Sequence, residues 1–211
     1  MSAEHLNCNE NQLKKPFKIM IPTTPVPAKD GIANPAPLGL CAFGMTTVLL
    51  NLANAGITEM SSVILAMGIF YGGIAQVIAG VIESKKNNIF GLTAFTSYGL
   101  FWLSLVGIIL MSKFGWIPAP SGKGMAAYLG MWGLFTLCLF FGTLKLTRAL
   151  QLVFGTLVIL FALLAIEKGT GNAGIGKLAG FEGILCGLLA IYAGIATLLN
   201  DVYGKTVLPV G

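Results

Sequence analysis

The sequence predicts an all-α, polytopic membrane protein with six transmembrane helices per protomer and both termini in the cytoplasm. Three observations carry that expectation. Of 211 residues, 55% are hydrophobic and only 10% are charged, against about 25% charged residues in soluble domains. The apolar residues gather in runs near the about 20 residues that cross a bilayer. Polar or Gly/Pro-rich breaks punctuate those runs at regular intervals.

Residues 1–33 read as a polar tail, followed by a transmembrane domain over 34–211. The tail carries Lys14, Lys15, Lys18 and Lys29, with prolines at Pro16, Pro22, Pro25 and Pro27. That composition favours an extended or loosely ordered segment. Phe17 to Ile21 forms a short amphipathic patch suited to a membrane surface or a neighbouring subunit. No apolar core followed by a cleavage pattern is seen, so no signal peptide is expected and the first span directs insertion.

Asn34-Pro35-Ala36-Pro37 forms the boundary. Proline lacks an amide donor and restricts the residue before it, so this reads as an extended entry into the first helix. Free amides at that helix start also make an anion site conceivable at Asn34. The spans are placed at about 38–56, 61–83, 89–111, 125–145, 148–166 and 178–199. Glu83 to Asn88 is a polar turn, Lys113 to Gly124 holds Pro118 and Pro120, Lys145 to Arg148 is a tight cationic turn, and Glu167 to Lys177 is glycine-rich. Nine of the 13 Lys and Arg fall in the two tails and the second and fourth loops. That bias places both termini inside.

Helix packing is legible in the glycines. Gly68/Gly72, Gly176/Gly180 and Gly183/Gly187 have the small-xxx-small spacing that lets membrane helices approach closely. Two blocks echo each other: Gly39 to Phe43 resembles Gly91 to Phe95, and Phe70 to Gly73 resembles Phe140 to Thr143. Repeated helical hairpins and chance similarity among Gly- and Phe-rich helices both account for this.

Most chemistry is excluded. Cys8, Cys41, Cys138 and Cys186 show no metal or disulfide spacing, and the single histidine, His5, lies in the tail. No metal site, no cofactor and no enzyme motif is read. A nucleic-acid surface is excluded by the lack of a basic, aromatic stripe. Polar side chains within the spans are densest at Thr46-Thr47 and at Thr93 to Tyr98. Such groups face a wet cavity or the protein interior, although Ser and Thr also bond back to their own helix. Asn51 and Gln76 carry amides that such back-bonding does not satisfy, so they are read as lining or interhelical. Glu83, Glu182, Lys145 and Arg148 all fall near span ends, so no buried carboxylate relay is read. A proton moving with substrate would then travel on the substrate, as an undissociated weak acid.

Asn34-Pro-Ala-Pro-Leu-Gly-Leu40 followed by Phe43-Gly-Met-Thr-Thr47 resembles the signature of the acetate uptake transporter family, which includes the bacterial succinate–acetate permeases. The likeness continues through Ala66 to Gln76, Phe90 to Tyr98, Phe141 to Lys145 and Gly204 to Pro209. It implies a six-helix protomer, a hexameric assembly with a path through each protomer, and movement of acetate and related short carboxylates, with succinate in some members. It also implies a narrow apolar gate at Phe43, Tyr98 and Leu157, with Ala190 shaping the path. A ring of such side chains excludes hydrated ions by dewetting. Thr46, Thr47, Gln76 and Thr96 flank the ring and offer hydrogen bonds, with Asn34 at the mouth. The resemblance places the protein in the inner or plasma membrane. A passive channel for urea or ammonia, or a non-transporting scaffold, are the alternatives that composition leaves open.

Overall fold

A computed structural model describes residues 31–211. Phe17 to Ile21, His5, Cys8 and all but the last three residues of the predicted tail lie outside the described residues. Six helices are long and apolar enough to cross a membrane: α1 (Ala36–Asn54), α2 (Ser62–Lys85), α3 (Ile89–Lys113), α4 (Gly122–Thr143), α5 (Arg148–Thr170) and α6 (Ala173–Tyr203). Each overlaps a predicted span. Among the described residues there is no strand.

Local chemistry sets the ends. Ser121, Thr147 and Asn88 accept hydrogen bonds from the amides of Gly124, Leu150 and Gly91, closing the free starts of α4, α5 and α3. Asn172 caps α6 the same way. It carries that helix further toward its start than the predicted residue 178. Gly171 and Gly204 take the left-handed conformation that ends α5 and α6. Helix α2 is not uniform. Phe70–Ala75 widens into π-helical turns, a feature the apolar pattern of the span does not signal and one common at functional sites.

Two seams bring backbones together. Helix α1 packs most closely on α6, and α2 on α3. A methyl group added at Gly44 would stand 2.6 Å from the Gly187 carbonyl oxygen, and one at Gly187 would stand 2.7 Å from that of Gly44. Gly180 lies against the backbone of Ala55, and Gly183 against the Asn51 side chain. On the second seam Gly99 lies against the Gly73 carbonyl, and Gly72 receives Thr46 of α1. The echoed blocks meet here too, since Gly39 receives the Phe95 ring. Helix α5 packs on both α4 and α6.

Helix α3 faces α4 and α5 differently, through rings. The Phe101 ring lies 5.2 Å from that of Trp132 and 5.3 Å from that of Phe161. Tyr98 and Phe154 are 6.0 Å apart. The core is therefore wide on this side and narrow on the glycine side. Six crossings return the chain to one end, where Asn34 Nδ2 donates to Asp201 at 2.8 Å. Outward side chains such as Phe70, Leu134, Phe141 and Leu185 are exposed and apolar, as a lipid-facing surface requires. Phe114 and Trp116 stack 5.7 Å apart between α3 and α4, in the manner of interfacial aromatics.

Replacing Gly44 by Val is expected to lower the thermal stability of the detergent-solubilised protein by about 1–3 kcal/mol, the usual cost of overpacking. Gly130 has open space around it, so Gly130→Ala should leave the melting temperature unchanged or raise it. Equal effects in a thermal-shift assay would contradict the seam.

Candidate functional site

The helical repeat lays out the site before any packing is considered. Residues spaced 3, 4 or 7 apart share one helix face. Ala36, Leu40 and Phe43 have that spacing in α1, as do Gln76 and Glu83 in α2, Gly91, Ala94 and Tyr98 in α3, and Ala149, Val153 and Leu157 in α5. These four stripes, with Ala193 and Thr197 of α6, wall a cavity of about 250 Å³. All of them lie toward one end of the bundle, the end that holds the start of α1 and the finish of α6. The cavity is blind. Its deepest wall residues in α1, α3 and α5 are Phe43, Tyr98 and Leu157.

Those three side chains are buried, with Tyr98 and Leu157 at 3% exposure. The Phe43 and Tyr98 rings are 5.9 Å apart and tilted by 51°. A pair in that range adds about 0.5–1.5 kcal/mol beyond its buried area. Tyr98 is held by its hydroxyl, which donates to Thr136 Oγ1 at 2.9 Å. Thr136 in turn donates to the Trp132 carbonyl at 2.7 Å. The ring is thus pinned from α4. Beyond it Phe101, Trp102, Leu160 and Phe161, all buried, fill the core.

Few polar groups reach the cavity. Gln76 lies beside the ring, and its Oε1 has no hydrogen-bond partner. Glu83 is 2% exposed and accepts a hydrogen bond at Oε2 from Asn88 Nδ2 at 2.9 Å. Thr147 and Thr197 complete the set, and no Lys, Arg or His lines the wall. Near the mouth the segment after α6 folds back. Asn200 holds it by accepting from the amides of Val207 and Leu208 and donating to the Leu208 carbonyl. The Val210 carbonyl then accepts from the Ala149 amide at 2.9 Å, and Val210 joins the cavity wall.

Of the site residues predicted from the sequence, Phe43, Gln76, Tyr98 and Leu157 share this wall, and Asn34, Thr46, Thr47, Thr96 and Ala190 do not. Asn34 uses its oxygen to accept from the Ala36 amide and its nitrogen to reach Asp201, so it organises the rim instead of facing the cavity. Thr46 is fully buried between α1 and α2, where Gly72 leaves room for it. Thr96 packs on Gly80 in the α2–α3 seam. Thr47 lies one turn past Phe43, on the far side of the ring, and Ala190 packs into the same core as Phe43 and Tyr98 without reaching the cavity. Asn51 takes the interhelical place expected of it, against Gly183 of α6, although its Nδ2 also donates to the Thr47 carbonyl of its own helix at 2.9 Å.

The carboxylates are a correction. Glu83 stands two residues before the end of α2, as expected, and Glu182 nine residues into α6, but Glu83 is buried and so are the carboxyl oxygens of Glu182. Glu83 was legible in principle, since it stands seven residues after Gln76 on the same face. The fold-back at Asn200 and Val210 had no signal in periodicity.

A six-span bundle around a blind cavity closed by apolar side chains has the architecture of a membrane path protein. The comparisons with known proteins narrow that class. The profile of the GPR1/FUN34/yaaH family matches residues 18–210, and the chain belongs to that family. It is 59% identical over 180 residues to the succinate-acetate/proton symporter SatP of Escherichia coli, covering 85% of this chain and 96% of the relative. It is 41% identical over 181 residues to ammonia transport outward protein 2 of Saccharomyces cerevisiae, covering 80% of this chain and 64% of the relative. A solved structure of the bacterial acetate channel SatP superposes with a TM-score of 0.84 at 59% identity, covering 85% of this chain and 99% of the other. The protein is thus a multi-pass membrane protein whose named relatives are transporters and channels.

Asn200→Ala is expected to release the fold-back. Amide hydrogen exchange at residues 205–210 should rise by about tenfold or more, since each lost hydrogen bond is worth about 1 kcal/mol. Unchanged protection would show that the segment is held by other contacts.

Proposed function

We propose that the protein moves acetate and related short carboxylates across the inner or plasma membrane, through a path in each protomer gated by Phe43, Tyr98 and Leu157. The observation that carries this reading is the blind cavity itself. At about 250 Å³ it falls below the about 300–1,000 Å³ of sites for drug-sized ligands. Its wall is apolar, which suits a methyl group, and Gln76 offers an amide to a carboxyl beside the ring. The names of the bacterial relative and of the solved structure support the same substrate.

The lining also favours one form of the substrate. A free carboxylate entering this wall meets no cation and passes Glu83, a like charge when ionised. In an apolar wall that repulsion is weakly screened. An undissociated acid meets no such barrier and carries its own proton. The wall thus supports proton-linked transport. The bias of Lys and Arg supports a cavity mouth on the cytoplasmic side. Assembly as a hexamer belongs to the same proposal, and native mass measurement in nanodiscs tests it. A neutral solute such as ammonia is the second reading, favoured by the name of the yeast relative and by the apolar ring.

Radiolabelled acetate uptake into proteoliposomes should exceed that of protein-free vesicles, and ammonia flux should not. Across a pH series the rate should follow the undissociated acid; a rate that tracked the anion alone would rule out the proton link. Phe43→Ala or Tyr98→Ala should raise butyrate flux relative to acetate by about tenfold or more, the scale on which an apolar site discriminates a methylene. An unchanged size profile would remove the gate.

A further inference from the structure

The buried polar atoms that lack partners do not stop at the ring. Thr47 Oγ1 and Trp102 Nε1, each four residues beyond a ring residue, are both buried and unpaired. Further in the same direction is Glu182, whose two carboxyl oxygens are also buried and without any hydrogen bond. Glu182 stands nine residues into α6, about 13 Å along the helix at 1.5 Å per residue. Ala179 and Cys186, three before it and four after it, are fully buried in the core that holds Phe43 and Tyr98. Leu178 and Leu185, four before it and three after it, are exposed, so Glu182 stands half-buried at the border of the core face of α6 with its carboxyl oxygens covered. The wall residues Ala193 and Thr197 lie on the other side of Ala190, so Glu182 belongs to the half of the bundle away from the cavity.

We propose that Glu182 is a proton-binding carboxyl of the far half-path, occluded in this conformation and wetted when that half opens. An ionised carboxylate without a donor or counter-charge is far costlier in such a place than the neutral acid. The groups around it offer no counter-charge. Its own helix contributes Cys186 one turn away and Lys177 toward the helix start. Helix α5 contributes Glu167 and Lys168, whose charges pair with each other at 3.0 Å. Helix α1 carries Cys41 alone, near the opposite end. Opening the far half lets water reach Glu182 and releases its proton there. Closing it requires the proton back. The carboxyl thereby ties the conformational change to the pH of the far compartment. This adds to a proton carried by the substrate and rests on the transport reading above.

The test uses the full chain in proteoliposomes. Dicyclohexylcarbodiimide, which reacts with protonated carboxyls in apolar surroundings, should label Glu182 as read by peptide mass. Labelling should fall as pH rises and increase when acetate drives turnover. In flux assays at constant undissociated acid, wild type should respond to pH on the far side, and Glu182→Gln and Glu182→Leu should lose that response while still passing acetate. Absence of label at Glu182 at every pH, or a pH response in both variants equal to wild type, overturns the proposal. If neither wild type nor variant moves acetate, the transport reading fails, and the labelling still decides whether Glu182 binds a proton.

Discussion

The contact between the Gly44 and Gly187 backbones is the constraint on which the rest depends. It draws α1 and α6 together until no side chain fits at either glycine. The Gly73–Gly99 approach does the same for α2 and α3. With two seams drawn tight, the remaining interior width falls between α3 and the α4–α5 pair. Only large side chains fill it, and Tyr98, Phe101, Trp132 and Phe161 do so. The site is where that filling is incomplete. Toward one end the rings give way to Ala94, Ala149 and Ala193, and a cavity remains.

This arrangement explains why the ring closes where it does. Tyr98 alone would swing within a space of that size. Its hydroxyl is fixed by Thr136, whose own proton goes to Trp132. The chain of bonds runs from α3 into α4, a helix with few buried residues of its own. A shift of α4 would move the ring with it. The π-helical turns of Phe70–Ala75 serve position in a different way. They end at Gln76, and the two glycines let Thr46 and Leu103 lie against the widened backbone.

The architecture was readable because lipid imposes it. Span number and approximate limits follow from about 20-residue apolar runs, and the glycine spacings named the seams correctly at Gly68/Gly72 and Gly183/Gly187. The site was legible in part. Phe43, Gln76, Tyr98 and Leu157 share a wall because each falls on a helical stripe, whereas Thr46 and Thr96 differ only in facing a glycine across a seam. Polarity within a span does not reveal which of those two fates a threonine meets. Asn51 keeps its interhelical place against Gly183 but also bonds to the Thr47 carbonyl four residues before it, a bond that polarity alone does not announce. The burial of Glu83 and Glu182 had no signal in the span limits, because a carboxyl inside a helix end looks in sequence like the loop that follows it.

That burial bears on mechanism. A path built to bind anions would carry Lys or Arg, as phosphate and carboxylate sites elsewhere do. Here the wall has none, and the buried titratable carboxyls stand on both sides of the ring: Glu83 in the cavity and Glu182 beyond it. Neither has a salt-bridge partner among the described residues. In the proposed path, an apolar ring between two such groups would reject hydrated charge by dewetting and admit a small neutral acid. Selectivity for a carboxylic acid would then need no positive charge at all. It would follow from size at the ring and one amide beside it.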